Sequence, residues 1–228
     1  MELPKILALW AVTVAPALAL DFPVRHEHLR KGCAGTLTID ERGVSFRGPK
    51  KHSWTWTYQD IQQLRVAPGE IRVLTYQDNP WKLGADFAYR FQARSGQPFT
   101  EAYELLKSRL DQRFVAELAD DEVKPLWQIP VKHLGRLRGS EGLLVVGEDR
   151  IVYRCEHKGE PRTWRYNDID SISTSGPFQL TLTTFERARS HYGSLKAFNF
   201  QLKQPLEEAR YNDLWRRLNR KKGTIHYD

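Results

Sequence analysis

The chain is poor in sulfur, with 2 Cys and 1 Met in 228 residues. Cys33 and Cys155 lie far apart, so the closely spaced cysteine pairs of zinc modules and dithiol redox centres are absent. There is no Gly-x-x-x-x-Gly-Lys phosphate loop, no Gly-x-Gly-x-x-Gly opening a helix and no Gly-x-Ser-x-Gly nucleophile elbow. Those absences remove the enzyme classes that announce themselves by motif. Long apolar runs are missing too: after the first twenty residues nothing resembles a membrane span. What is present is a globular balance, 40% hydrophobic and 28% charged. Aromatics are plentiful, with 7 Trp, 9 Tyr and 10 Phe, and small β cores are commonly built from such side chains. The net charge of +7 either favours anionic surfaces or simply keeps the chain in solution.

The N-terminus differs from the rest. Lys5 precedes an apolar run from Ile6 to Val14, Pro16 breaks it, and Ala17-Leu18-Ala19 supplies the small-x-small pattern of a signal-peptidase site. The expectation is a signal peptide over residues 1–19 and an exported protein, periplasmic or secreted. Glu2, which offsets Lys5, is the weak point of that pattern, and an uncleaved anchor or a buried first helix are the alternatives. In an oxidising compartment Cys33 and Cys155 could form a disulfide or remain two separate buried thiols.

Self-comparison is the most informative step. Trp56, Tyr58, Asp60 and Ile61 recur in order as Trp164, Tyr166, Asp168 and Ile169, an offset of about 108 residues. Upstream, Pro23-Val24-Arg25-His26 faces Pro130-Val131-Lys132-His133, and Gly32 and Gly35 face Gly139 and Gly142. Downstream, Tyr103, Leu106 and Leu110 face Tyr211, Leu214 and Leu218. This assigns 20–119 to a first unit, 120–129 to a linker, 130–222 to a second unit and 223–228 to a tail.

Each unit reads as strands followed by a helix. Thr36 to Asp40 and Val44 to Arg47 alternate around the tight turn Asp40-Glu41-Arg42-Gly43, and further strands are expected at 52–58, 61–67, 71–76 and 88–93. Thr100 is expected to cap an amphipathic helix running to about Val115, and a second helix spans about 206–220. The fold class expected is mainly β with α: two β-barrel or sandwich units, each closed by a C-terminal amphipathic helix.

That order, with a Trp/Tyr strand running into Asp-Ile and a further strand (Trp56 to Leu64, Trp164 to Ile172), resembles the pleckstrin-homology superfold and its bacterial PH-like and GRAM-like relatives. It also resembles uncharacterised exported tandem-repeat proteins of bacteria. The first hairpin loops, Asp40 to Gly43 and Gly147 to Arg150, are short and acidic-leaning, unlike the basic loops that hold phosphoinositides in that family.

Candidate chemistry is sparse. His26-x-His28 is the only close histidine pair and lacks a third ligand with suggestive spacing, so no metal, cofactor or catalytic residue is expected. Asp60 and Asp168 read as turn caps. Positions that differ between the halves are the candidates for partner contact: Trp81 and Lys82 in one loop, and Arg187, Arg189, His191 and Tyr192 in its counterpart. Arg216, Arg217, Arg220, Lys221 and Lys222 are candidates for an anionic surface, such as lipid. Lys50 and Lys51, with His157, Lys158, Arg162 and Arg165 opposite, form further basic stretches, but export argues against nucleic acid as the partner. The function expected is a non-catalytic binding or scaffolding module of the cell envelope, with an unknown protein or envelope component as partner. The alternative is an enzyme acting on an envelope polymer or lipid in a pocket between the copies.

Overall fold

The computed structural model describes residues 19–28, 32–49, 52–94, 98–135, 138–155, 160–188, 195–220 and 222. The expected signal peptide, apart from Ala19, lies outside them. In β1 (Leu20–His26), Phe22, Val24 and His26 face inward while Asp21, Pro23 and Arg25 are exposed, the period-two pattern of a half-buried strand. β2 (Cys33–Ile39), β3 (Gly43–Arg47), β4 (Ser53–Thr57), β5 (Ile61–Ala67), β6 (Glu70–Asp78) and β7 (Asp86–Ala93) follow, then α1 (Thr100–Arg109) and β8 (Phe114–Ala116). Next come β9 (Trp127–His133), β10 (Ser140–Val146), β11 (Arg150–Cys155), β12 (Arg162–Arg165), β13 (Ile169–Ser173), β14 (Gln179–Arg187), β15 (Leu195–Leu202) and α2 (Glu208–Asn219).

Turn chemistry places the first hairpin. The Asp40 carboxylate accepts hydrogen bonds from the Arg42 and Gly43 amides at 2.7 and 3.0 Å. A Cβ on Gly43 would stand 2.0 Å from the Trp56 carbonyl oxygen, so only glycine lets β3 lie this close to β4. The Asp60 carboxylate accepts the Thr57 amide at 2.8 Å, and Asp168 accepts the Arg165 amide at 2.9 Å, so both acids cap turns.

The expectation of two separate barrel or sandwich units, each closed by its own helix, is overturned. The strands form one open fifteen-stranded sheet in the order β13-β14-β15-β9-β10-β11-β12-β8-β5-β6-β7-β1-β2-β3-β4, with two helices among the described residues. The cause is β8. α1 ends at Arg109 rather than near Val115, because Leu110 turns extended. Phe114, Val115 and Ala116, all buried, then run parallel to β5 and meet β12 through Ala116 and Thr163. Nor does Thr100 cap the helix: Phe99 is the cap residue and makes no side-chain cap bond.

Two hydrophobic clusters sit under this sheet, one around Phe46, Phe91 and Leu106 and the other around Trp164, Phe200 and Leu214. Between them the join is charged. Arg162, only 1% exposed, reaches Glu117 at 2.6 Å and lies 3.4 Å from Glu186, whose carboxylate also meets Lys196 and Trp164 Nε1. Arg65 binds Glu117 from β5. Arg165, held by Asp168, donates to the Leu110 and Asp111 carbonyls at 2.8 and 2.7 Å and also to that of Lys107. A cation there complements the negative end of α1. Asp120, at the start of the expected linker, accepts from Tyr103 at 3.1 Å and pairs with Arg150.

Candidate functional site

Among the described residues the sheet ends at β4 and β13, each paired on one side only. β4 is the chemically richer. In the repeat alignment its Thr55 faces Thr163, the residue of β12 that meets Ala116 of β8. Thr163 is buried by that contact, whereas Thr55 is exposed. The same strand position is therefore covered in one half and open in the other.

Grooves flank the open edge on both faces. One of about 370 Å³ is lined by the aromatics Trp54, Trp56, Tyr76 and Tyr89 together with polar residues that include Thr55, Gln59 and Asp60. The other, about 350 Å³, is mainly polar: Asp21, Thr36, Thr38, Ser45, Arg47 and Ser53 line it beside Phe46 and Trp54. The aromatic wall continues through close rings: Trp56 and Tyr89 lie 4.7 Å apart, Trp54 and Tyr89 5.1 Å, and Trp54 and His26 5.0 Å. Tyr76 is 57% exposed. An edge strand with an aromatic-walled groove on one side and a polar groove on the other can hydrogen-bond an added strand and sort its alternate side chains.

The expected contact residues are not gathered in one place. Trp81 and Lys82 project from the turn after β6, where Asn79 Oδ1 accepts the Trp81 amide at 3.0 Å and Trp81 is 89% exposed. Arg187 instead crosses the join, to Asp86 at 3.1 Å and Gln62 at 3.0 Å. Arg189, His191 and Tyr192 lie outside the described residues. In the basic tail Arg216 and Arg220 are exposed, Arg217 binds Asp213 and Glu148, Lys222 reaches the Asp170 carbonyl, and Lys221 lies outside the described residues. Of the other basic stretches, Arg162 and Arg165 are spent on the join, while Lys50, Lys51, His157 and Lys158 are not among the described residues. Cys33 and Cys155 are free thiols that pack against different clusters.

Sequence reasoning missed Thr55 and Trp54. A usable signal was present: β4 carries small polar residues at Ser53, Thr55 and Thr57, whereas its counterpart begins with an arginine.

His26 under this wall and His133, its counterpart in the second half, both resist protonation. Burial, and then the charges of His28 and His52, lower the His26 pKa from 6.5 to about 4. Burial, and then Lys196, lower that of His133. Unfolded chains take up protons near 6.5 that these folded rings refuse, so their stabilisation is complete above that pH and drains away as pH falls toward 4. In the presence of a chelator, the denaturation midpoint is expected to drop between about pH 7.5 and about pH 5, with a smaller drop in His133→Phe. A variant whose midpoint falls as steeply as the parent's would rule His133 out as a contributor.

No family model matches the chain, and no curated protein does. Among solved structures it is similar to one described as "Structure of the Spt16D Pob3N heterodimer". The identity is 12% and the TM-score 0.31, over 84% of this chain and 98% of that one. A superposition this loose carries no argument about function. Among the described residues no helix is long and apolar enough to cross a membrane.

Proposed function

We propose that the chain is a non-catalytic tandem-repeat binding module of pleckstrin-homology-like sequence, exported to the cell envelope, that captures an extended segment of a protein partner along β4. One observation carries the reading: β12 is covered by β8, whereas β4, its counterpart, has a neighbour on one side only. β8 is the chain's own example of such an occupant. Phe114-Val115-Ala116 is an extended, uncharged, apolar run, and a partner segment of that chemistry, alternating with polar residues, suits the two grooves.

The acids that meet at the join support this reading over an enzyme. Glu117, Asp120 and Glu186 are each paired with an arginine or lysine, which suits structure better than proton transfer. Capture of an anionic surface by the C-terminal basic residues is the weaker reading, because Arg217 is already paired with Asp213 and Glu148.

A random-peptide display library panned on the intact chain tests the edge. Enriched peptides are expected to alternate apolar and polar residues. Thr55→Pro, which removes an edge amide, and Trp54→Ala should each weaken them by about tenfold, the worth of one good hydrogen bond or anchor side chain. Trp215→Ala, on the exposed face of α2, should leave binding unchanged. Peptides that hold Thr55→Pro as tightly as the parent chain would exclude β4 as the docking strand.

A further inference from the structure

The loop end of the β1–β2 hairpin gathers side chains that the sequence scatters. His26 and Cys33 are register partners across β1 and β2, which puts their side chains on one face. His26 Nδ1 and Cys33 Sγ stand 3.9 Å apart. One donor atom each from His26, His28 and Cys33 fits within a mutual distance of 4.8 Å. The His52 ring, from the residue before β4, packs against that of His28 at 5.2 Å between centroids.

We propose that His26, His28 and Cys33 bind a zinc ion, with His52 as the fourth donor. A tetrahedral zinc ion takes imidazole nitrogen at about 2.0–2.1 Å and thiolate at about 2.3 Å, so its donors lie roughly 3.5 Å apart. The His26–Cys33 pair is already near that separation. His28 lies beyond the end of β1 and is exposed, so turning its side chain inward closes the rest of the site without moving the strand. Three imidazoles and one thiolate are a borderline-soft set that suits zinc over magnesium or calcium.

Packing alone explains one member of this group and no more. His133 holds the place of His26 in the second half, among Tyr153, Phe198 and Phe200, as His26 sits among Phe46, Trp54 and Phe91. The positions facing His28, Cys33 and His52 are Gly135, Ser140 and Glu160. None of these three facing residues is a thiol or an imidazole; the second half's cysteine, Cys155, stands at the end of β11 instead. At these aligned positions the additional donors stand in one half only: His28 and Cys33 bring donor atoms together with His26, and the His52 ring packs against His28, which the fold does not require.

The test uses the untagged full-length chain, reduced, stripped of metal and titrated with Co²⁺ as the spectroscopic probe for zinc. One equivalent is expected to bind with a thiolate-to-cobalt charge-transfer band and the intense visible bands of tetrahedral cobalt, and Zn²⁺ should displace it. Cys33→Ser should abolish the charge-transfer band, and Cys155→Ser should leave it intact. His28→Ala alters an exposed side chain and so leaves folding alone, and it should weaken binding by about tenfold or more. No band in the parent chain, a band that survives Cys33→Ser, or unchanged affinity in His28→Ala would each overturn the site. These readouts do not involve Thr55 or peptide binding, so this site and the β4 edge stand or fall separately.

Discussion

Replacing Arg162 by alanine is expected to destabilise the chain by about 3–5 kcal/mol, the range for removing one partner of a buried ion pair. The guanidinium is 1% exposed and bridges Glu117 and Glu186, so its removal strands two carboxylates in the join. Glu117 would retain Arg65, and Glu186 would retain Lys196 and the Trp164 indole, which keeps the loss from exceeding that range. Burial pushes the Glu117 carboxyl up, but Arg162 and Arg65 together outweigh it and hold its pKa below the usual 4.5. A lowered carboxylate stabilises the fold above its unfolded pKa, and that contribution is lost as pH falls through the folded value. The penalty of Arg162→Ala should therefore shrink in acid, where the Glu117 carboxyl takes up a proton. Urea denaturation near neutral pH and again in acid checks both statements. A cost below about 1 kcal/mol at neutral pH would mean that the join is wet and the pair is worth no more than a surface one.

The second large effect belongs to Trp164. Trp164→Ala is expected to cost about 3–5 kcal/mol, the range for deleting a buried large aromatic. The indole is 2% exposed, meets the Phe198 ring edge-on at 4.8 Å and donates Nε1–H to Glu186 at 3.2 Å. Trp164→Phe keeps most of the packing and loses the hydrogen bond to Glu186, which Lys196 and Arg162 still neighbour, so about 1.5–3 kcal/mol of the total should remain in that variant, the worth of a hydrogen bond to a charged group. Trp54→Ala, on the partly exposed edge of β4, should cost clearly less than Trp164→Ala while damaging binding. If Trp54→Ala proves as destabilising as Trp164→Ala, Trp54 is core and the aromatic groove is no binding wall.

Most strands were legible, and for a local reason. Alternation such as Phe22, Val24 and His26, a turn such as Asp40 to Gly43, and cap acids such as Asp60 and Asp168 depend on residues within a few positions of one another. β8 was not legible. Phe114 continues the helical spacing of Tyr103, Leu106 and Leu110, and only the presence of β5 and β12 on either side makes an extended Phe114-Val115-Ala116 the better state. Arg162 was misplaced in the same way. An arginine read alone belongs at the surface, and the two carboxylates that make its burial tolerable come from Glu117 and Glu186, far away in sequence. The histidine pair His26-x-His28 was set aside for want of a third ligand, which β-pairing brings from Cys33.

The near absence of cysteine and of nucleotide or hydrolase motifs, the alternating strands, the turns and the internal correspondence at about 108 residues belong to the sequence by itself, because each is a short-range pattern or a comparison of the chain with its own other half. Tertiary structure alone decided that the halves join into one sheet, that β4 stays open while β12 is covered, and that Cys33 meets His26. Those outcomes rest on contacts between residues distant in the chain, where hydrogen bonding of strand edges and pairing of buried charge, rather than local propensity, set the lower free energy.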